Sequence, residues 1–424
     1  MNASGTTHLL TVDKLSIRLP QRAGRTFAVR DVGFTLDRGE VRCIVGESGS
    51  GKSLTARAIM GLLPHHGLSV DRGAIRFADI DLTAISQQAF GAIRGRRIGM
   101  VFQEPMTALN PLQRVGDQLA ETFEIHGVRL TRKERDQRVH SLLEEMNIRD
   151  VERIAAAYPF ELSGGQRQRV VIAIACALEP ELLIADEPTT ALDVTTQKQI
   201  LALFEDIRRR RNMGMLLITH DFGVVAEIAD TITVMKDGEV VEEGDARTVI
   251  SAPVADYTAN LLEAVPKFRR DRTTRGGNPD IALKVDSLTK EYLLRRRHHG
   301  SNTLLALNRV SLSLRAGEAL GVVGESGSGK STLGRSIVGL EMPDSGSVTV
   351  GGTTIDRFAG HGLAHLRRHI QMVFQDPYSS LNPRKRVLDI IAAGPIATGI
   401  PRKEAHRRCL ALQIGRAVQQ ECRD

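Results

Sequence analysis

The nine residues VGESGSGKS at Val45 to Ser53 recur unchanged at Val323 to Ser331, 278 positions later. A match of that length is not coincidence, so the fold must be built twice. The likeness continues on both sides. Val29 to Glu40 (VRDVGFTLDRGE) parallels Leu307 to Glu318 (LNRVSLSLRAGE), and Ile98 to Pro111 (IGMVFQEPMTALNP) parallels Ile370 to Pro383 (IQMVFQDPYSSLNP). The last pair lies 272 positions apart, which places a small length difference between the two motifs. A period this long is not a solenoid. It predicts two copies of one domain joined head to tail.

The expected boundaries follow. Residues 1–266 form the first domain. Residues 267–280 form a linker, because Lys267 to Pro279 (KFRRDRTTRGGNP) mixes five basic residues with two glycines and a proline. Residues 281–413 begin the second domain. In the first copy an LSGGQ run starts 59 residues after Gln103, and its equivalent would start at 434, past residue 424. The second copy is therefore expected to be truncated before several motifs. Ile414 to Asp424 (IGRAVQQECRD) has no counterpart in the first copy and is expected to be a non-native tail.

Composition narrows the class. Hydrophobic residues at 42% and charged residues at 25% describe an ordinary globular chain. The formal net charge of +7 permits an anionic partner but selects none. With no Trp and 4% aromatics, a base-stacking platform for single strands is not expected. The four cysteines form no CxxC pair, which argues against a zinc ribbon or a disulfide framework and suits a reducing compartment. Cys43, inside the apolar run Val41 to Val45, reads as a small buried hydrophobe. Met1 to Thr7 lacks the features of a signal peptide. No apolar run approaches the ~18 residues of a membrane-spanning helix, so another chain would have to span the bilayer.

Local patterns predict an α/β fold. Val41–Val45 reads as a strand, followed by a Gly/Ser loop and a helix from about Lys52 to Gly61. Leu182–Ala185 and Met215–Thr219 read as further strands. Short apolar strands alternating with helices indicate a parallel sheet covered by helices. Asp237-Gly238, between Thr231–Met235 and Val240–Glu243, signals a hairpin.

Gly46 to Ser53 fits G-x-x-x-x-G-K-[ST]. Gly46, Ser48, Gly49, Ser50 and Gly51 let the backbone curl so that its N–H groups face a phosphate, with the following helix N-terminus adding its dipole. Lys52 would reach the β- and γ-phosphates, and Ser53 would hold Mg²⁺. Leu54, next in the helix, is expected to join these residues in binding the nucleotide. The repeat supplies Gly324, Gly327, Ser328, Gly329, Lys330, Ser331 and Thr332. Asp186 ends an apolar strand, where Mg²⁺ needs a carboxylate. Glu187 beside it could polarise an attacking water, although an acidic pair can also simply cap a helix. In Leu162–Gln166, Ser163 and Gln166 form a capping box, while Gly164 and Gly165 keep the helix end clear of side chains. This is either a second anion-binding terminus or a plain cap. His220 follows the third strand, at the end where ligands collect. Gln103 could sense the γ-phosphate from beside Mg²⁺, as could its repeat Gln375, or could be an ordinary loop residue. His361, His365 and His369 would stack on one helix face, but without a carboxylate partner a metal site there is not expected. The basic runs Arg208–Arg211 and Arg295–His299 lack interleaved aromatics, so no nucleic acid is expected as a partner.

Taken in order, Gly46–Ser53, Gln103, Leu162–Gln166, Leu182–Glu187 and His220 resemble the ATP-binding subunits of ABC transporters, with Ala191-Leu192-Asp193 similar to that family's D-loop. EPMTALNP, YPFELSGGQRQRV and Pro253…Tyr257-Thr258…Leu261-Leu262…Pro266 are similar to dipeptide, oligopeptide and nickel importers, of the tandem glutathione or microcin type. The resemblance implies a P-loop NTPase fold with a parallel core sheet, an antiparallel β subdomain and a helical subdomain. It also implies ATP and Mg²⁺ as ligands, and hydrolysis that drives uptake of peptides or similar solutes. The partners would be two transmembrane permeases and a periplasmic solute-binding protein. The location would be peripheral, on the cytoplasmic face of the inner membrane. Two domains would sandwich each ATP between one phosphate loop and the other's LSGGQ. With its second copy truncated, this chain is expected to bind Mg-ATP through the first copy but hydrolyse it poorly, unless first domains pair between chains. Tyr292 fits the family's adenine-stacking aromatic in the second copy. In the first, Leu19 stands at that place and Phe27 is the candidate substitute. The alternatives are a soluble ABC-type ATPase acting on nucleic acid or ribosomes, and a non-hydrolysing nucleotide sensor. Against the first, only 108 residues separate phosphate loop from signature, with no CxxC and no heptads.

Overall fold

In the first unit, Met1–Asp271, the apolar runs starting at Val41, Leu182 and Met215 become strands that are buried from end to end. β1 (Leu10–Arg18), β2 (Phe27–Leu36), β3 (Val41–Val45), β4 (Ser69–Phe77), β5 (Ile80–Asp81), β6 (Ile98–Val101), β7 (Leu182–Asp186), β8 (Gly214–Ile218), β9 (Thr231–Lys236) and β10 (Glu239–Asp245) form two sheets. The six-stranded sheet has the order β10-β9-β3-β8-β7-β6, and its pairs from β9 to β6 are parallel. Only the β9–β10 edge hairpin is antiparallel, turning at Asp237 and Gly238 with φ of 51° and 92°, as a type I′ turn requires. The second sheet, β2-β1-β4-β5, is antiparallel throughout. The computed structural model describes residues 8–20, 25–64, 67–103, 108–190, 192–265, 280–293, 303–325, 327–355, 360–374 and 380–421.

The continuous hydrophobicity of the core strands has a physical cause. Along β3, Val41, Cys43 and Val45 enter one apolar cluster while Ile44 enters another. Along β8, Met215 and Leu217 alternate with Leu216 and Ile218 between the same clusters. The parallel sheet is thus covered on both faces, so both side-chain registers are mainly apolar, and the buried Arg42 of β3 is admitted by its bonds to Thr233 and Glu243. The helical segment between Val115 and Cys176 packs into the first cluster through Leu119, Phe123, Leu142 and Val170.

The second unit, Arg272–Asp424, repeats the antiparallel sheet as β12-β11-β13-β14, with β11 (Ile281–Leu293), β12 (Thr303–Arg315), β13 (Ser345–Val350) and β14 (Thr353–Ile355). Its cluster is small, built on Val285, Leu288, Leu307, Leu333 and Val348. In the first unit, β3 is held between β8 and β9. The equivalent run Leu320–Val323 carries no strand pairing among the described residues, and Val323 is 92% exposed. The helix Gly360–His369 forms as the histidine spacing predicts, and the helix Arg402–Glu421 runs through the expected boundary at 413. Gln375, Ala191, Arg295–His299 and all of the expected linker except Asp280 lie outside the described residues.

Candidate functional site

The phosphate-loop motif folds as a cradle because its glycines reach backbone angles other residues avoid. Gly46 has φ 148°, and a Cβ there would stand 2.1 Å from the Met235 carbonyl oxygen. Such a position admits glycine alone. Gly51, with φ 99°, turns the chain into the helix Lys52–Ile59. Lys52 folds back into the loop. Its Nζ donates to Gly46 O at 2.8 Å, Glu47 O at 2.7 Å and Ser50 Oγ at 3.3 Å. Its three donors are thus matched, and burial lowers its pKa from the usual lysine value. Ser48 and Gly49 sit exposed on the rim. The Leu54 side chain points into the core, so only its backbone faces the loop.

Ser53 Oγ donates to Asp186 Oδ1 at 2.9 Å, joining the loop to the last residue of β7. Asp186 is buried, and that burial pushes its carboxyl above the usual carboxylate range. A hydroxyl and a buried carboxylate side by side are hard oxygen donors suited to Mg²⁺ that keeps phosphate and water ligands. Among the described residues no cluster of three or more His, Cys, Asp or Glu could hold a metal by itself.

Glu187 gathers the other expected residues. Its Oε2 accepts from Gln103 Nε2 at 2.9 Å and from Thr190 Oγ1 at 3.0 Å, and its Oε1 lies 3.2 Å from His220 Nδ1. Its backbone sits at φ 47°, a left-handed conformation costly for a glutamate, held by its N–H on Ile218 O at 2.9 Å. Gln103 is bonded to this carboxylate and has no hydrogen bond to the Ser53–Asp186 pair. A cavity of about 730 Å³ opens here, lined by Gly46, Ser48, Gln103, Glu187, His220 and Leu261 among others.

Ser163 caps the helix Gly164–Cys176 reciprocally: Gln166 N donates to Ser163 Oγ at 3.3 Å, and Ser163 N donates to Gln166 Oε1 at 3.0 Å. The two glycines differ, which corrects the expectation that both clear the helix end. A Cβ on Gly164 would meet nothing nearer than 3.9 Å, whereas one on Gly165 would stand 2.6 Å from Thr196 Cγ2. Gly165 is small because the helix Val194–Arg211 packs against it.

In the second unit the loop repeats the same shape. Gly324, Gly327 and Gly329 have φ of 155°, 85° and 95°, and Lys330 Nζ donates to Gly324 O, Glu325 O and Ser328 Oγ. Ser331 is exposed, and Thr332 follows it half-buried in the helix. Tyr292 is half-buried, with Lys290 Nζ 5.5 Å from its ring centroid. In the first unit Leu19 packs on the core, and the Phe27 ring is engaged by Arg18 and Arg72, whose guanidinium carbons lie 5.5 and 5.9 Å from its centroid.

Two contacts escaped the sequence. Thr190 stands three residues beyond Glu187, and only that spacing hinted at it. Tyr257 Oη accepts the Glu47 N–H at 3.1 Å across 210 residues, which no local pattern can announce.

Residues 29–190 and 307–421 match the family described as ABC transporter, more than half of the chain. The peptidoglycan transport ATP-binding protein YejF of Agrobacterium fabrum is 44% identical over 399 residues, covering 93% of this chain and 72% of the relative. The glutathione import ATP-binding protein GsiA of Escherichia coli O157:H7 is 41% identical over 435 residues, covering 95% of this chain and 69% of the relative. A solved dimeric bacterial ABC transporter cassette aligns with a TM-score of 0.51 at 28% identity, covering 56% of this chain and 99% of its own. A second structure, a post-hydrolysis state of the same cassette with ADP and phosphate, aligns equally well.

Proposed function

Because this chain belongs to the ABC transporter family, we propose that Gly46–Ser53 binds Mg-ATP and that Glu187 acts as general base in its hydrolysis, powering uptake of peptides or similar small solutes. The chain is an ATP-binding, ATP-hydrolysing subunit, and its partners are membrane permease subunits. Peptidoglycan and glutathione, named for two relatives, both carry peptide bonds, which supports the solute class. The partners we assign are two permeases and a periplasmic solute-binding protein. Among the described residues no helix is long and apolar enough to cross a membrane. The place we assign is peripheral, on the cytoplasmic face beside the permeases, which the import ATP-binding proteins among its relatives support.

One observation carries the chemistry: a phosphate cradle and the Glu187–Gln103–His220 cluster line one cavity. Mg²⁺, held by Ser53 and Asp186, would neutralise charge on the phosphates. Lys52 would exchange its loop carbonyls for phosphate oxygens. Glu187, oriented by Gln103, Thr190 and His220, would take the proton of the attacking water. Gln103, tied to the base, would report γ-phosphate occupancy to the loop that follows it.

The Ser163-capped helix would supply the second set of N–H groups, from a paired copy. A similar cassette is dimeric, which supports pairing between two chains; in that pair we place Ser163 of one first unit facing the phosphate loop of the other. Glu187→Gln tests the reading. ATP binding and ATP-dependent pairing should persist by sedimentation, while phosphate release falls by roughly 10²–10⁴-fold. Undiminished phosphate release would favour another base, and an unaltered, hydrolysis-independent response to ATP would favour a nucleotide sensor.

A further inference from the structure

The polar groups of the phosphate loop face two ways. Those turned inward hold Lys52. Those turned outward are bonded by distant parts of the chain. Glu47 N–H donates to Tyr257 Oη at 3.1 Å, and Gly238 N–H donates to Ser50 O at 3.1 Å. Gly238 O in turn accepts from Arg30 N–H at 2.8 Å, tying the same hairpin to β2. Lys236, on that hairpin, places Nζ 5.1 Å from the Tyr257 ring centroid. Tyr257 and the turn at residues 236–238 therefore form one assembly that grips the loop near both ends.

We propose that Tyr257 is a positioning residue for nucleotide binding. Its phenol oxygen latches the entrance of the phosphate loop, and the helix Asp256–Ala264 is the arm that carries the latch. The proposal rests on Gly46–Ser53 being the ATP site. A run of glycine and serine has much backbone freedom to lose, on the order of 1–2 kcal/mol per residue fixed. Holding the loop in its curled form before nucleotide arrives removes part of that loss from the binding step. The same helix contributes Leu261 and Ala264 to the wall of the cavity that Glu187, Gln103 and His220 also line, so the latch is carried by an element of that wall. Because the bound loop has the same shape with or without the latch, the effect falls on ground state and transition state alike. Losing the latch should therefore raise KM and leave kcat nearly unchanged.

The test uses the full chain. In the unsubstituted protein without nucleotide, the Glu47 amide should be protected from hydrogen exchange; an unprotected amide overturns the proposal whatever any variant does. Tyr257→Phe keeps the ring and its Lys236 contact but deletes the oxygen. It should abolish that protection and weaken ATP binding roughly three- to tenfold, as loss of one hydrogen bond does, with kcat within about twofold. Tyr257→Leu, which also removes the ring, should bind more weakly still. Lys52→Ala is the control for the site itself and should lose ATP binding. If Lys52→Ala binds ATP normally, the phosphate-loop reading fails. If Lys52→Ala loses binding while Tyr257→Phe keeps full affinity, or loses kcat at unchanged affinity, the latch fails and the site stands.

Discussion

Substituting each signature glycine separates packing from access at one helix end. In Gly165→Ala the new Cβ would lie 2.6 Å from Thr196 Cγ2. Thr196 cannot swing away freely: its N–H and Oγ1 are both bound to Asp193, at 3.0 and 2.9 Å, as the cap of the helix Val194–Arg211. Overpacking of this kind costs about 1–3 kcal/mol, against which alanine returns roughly 0.5–1 kcal/mol of helix propensity. The expected net loss is about 1–2 kcal/mol, or a fall in melting temperature of roughly 2–8 °C for a domain of this size. Gly164→Ala meets no atom nearer than 3.9 Å and should melt as the parent does or slightly higher, while impairing ATP-dependent turnover by crowding the helix terminus. Thr196→Ser removes the clashing methyl and keeps the hydroxyl on Asp193, so in the Gly165→Ala background it should restore most of the lost stability. Differential scanning calorimetry of the parent, Gly165→Ala, Thr196→Ser and the double variant forms a double-mutant cycle. If Gly164→Ala destabilises as much as Gly165→Ala, or Thr196→Ser rescues nothing, the assignment of Gly165 to packing is wrong.

Gly46→Ala should lose nucleotide binding in a filter or fluorescence assay, because its Cβ would collide with the Met235 carbonyl and its φ of 148° excludes alanine; binding at parental affinity would show that the cradle can rearrange. Cys176 is pushed up to about 12, and Cys43 is raised too, in both mainly by burial, so neither is a thiolate at mildly alkaline pH. Iodoacetamide should label them only after denaturation, and labelling of either in the native protein by mass spectrometry would contradict their burial. Phe204→Ala empties a fully buried position in the larger core and should cost about 3–5 kcal/mol by urea denaturation. A loss under about 1 kcal/mol would mean that the site collapses around the smaller side chain.

Features that a short stretch of chain can complete were legible in the sequence. The curl of Gly46–Ser53 is announced by its own glycines and the helix that follows, although distant groups also hold it. The Ser163–Gln166 box closes over three residues, and the Asp237-Gly238 turn closes over two. Strand identity was legible as well, since burial on both faces leaves no polar register to confuse the pattern. Folding alone decided which of these pieces meet. Ser53 reaches Asp186 over 133 residues and Gln103 reaches Glu187 over 84. The sequence offered Gln103 as a neighbour of Mg²⁺; that its amide also bonds the Glu187 carboxylate follows from the sheet order β6-β7-β8, which no local pattern announces. Gly165 shows the same limit from the other side. Its place in a motif suggested an open helix end, but what a missing Cβ makes room for depends on the neighbour that occupies the space. That neighbour, Thr196, is brought there by packing of two helices, and packing acts between surfaces that sequence proximity does not define.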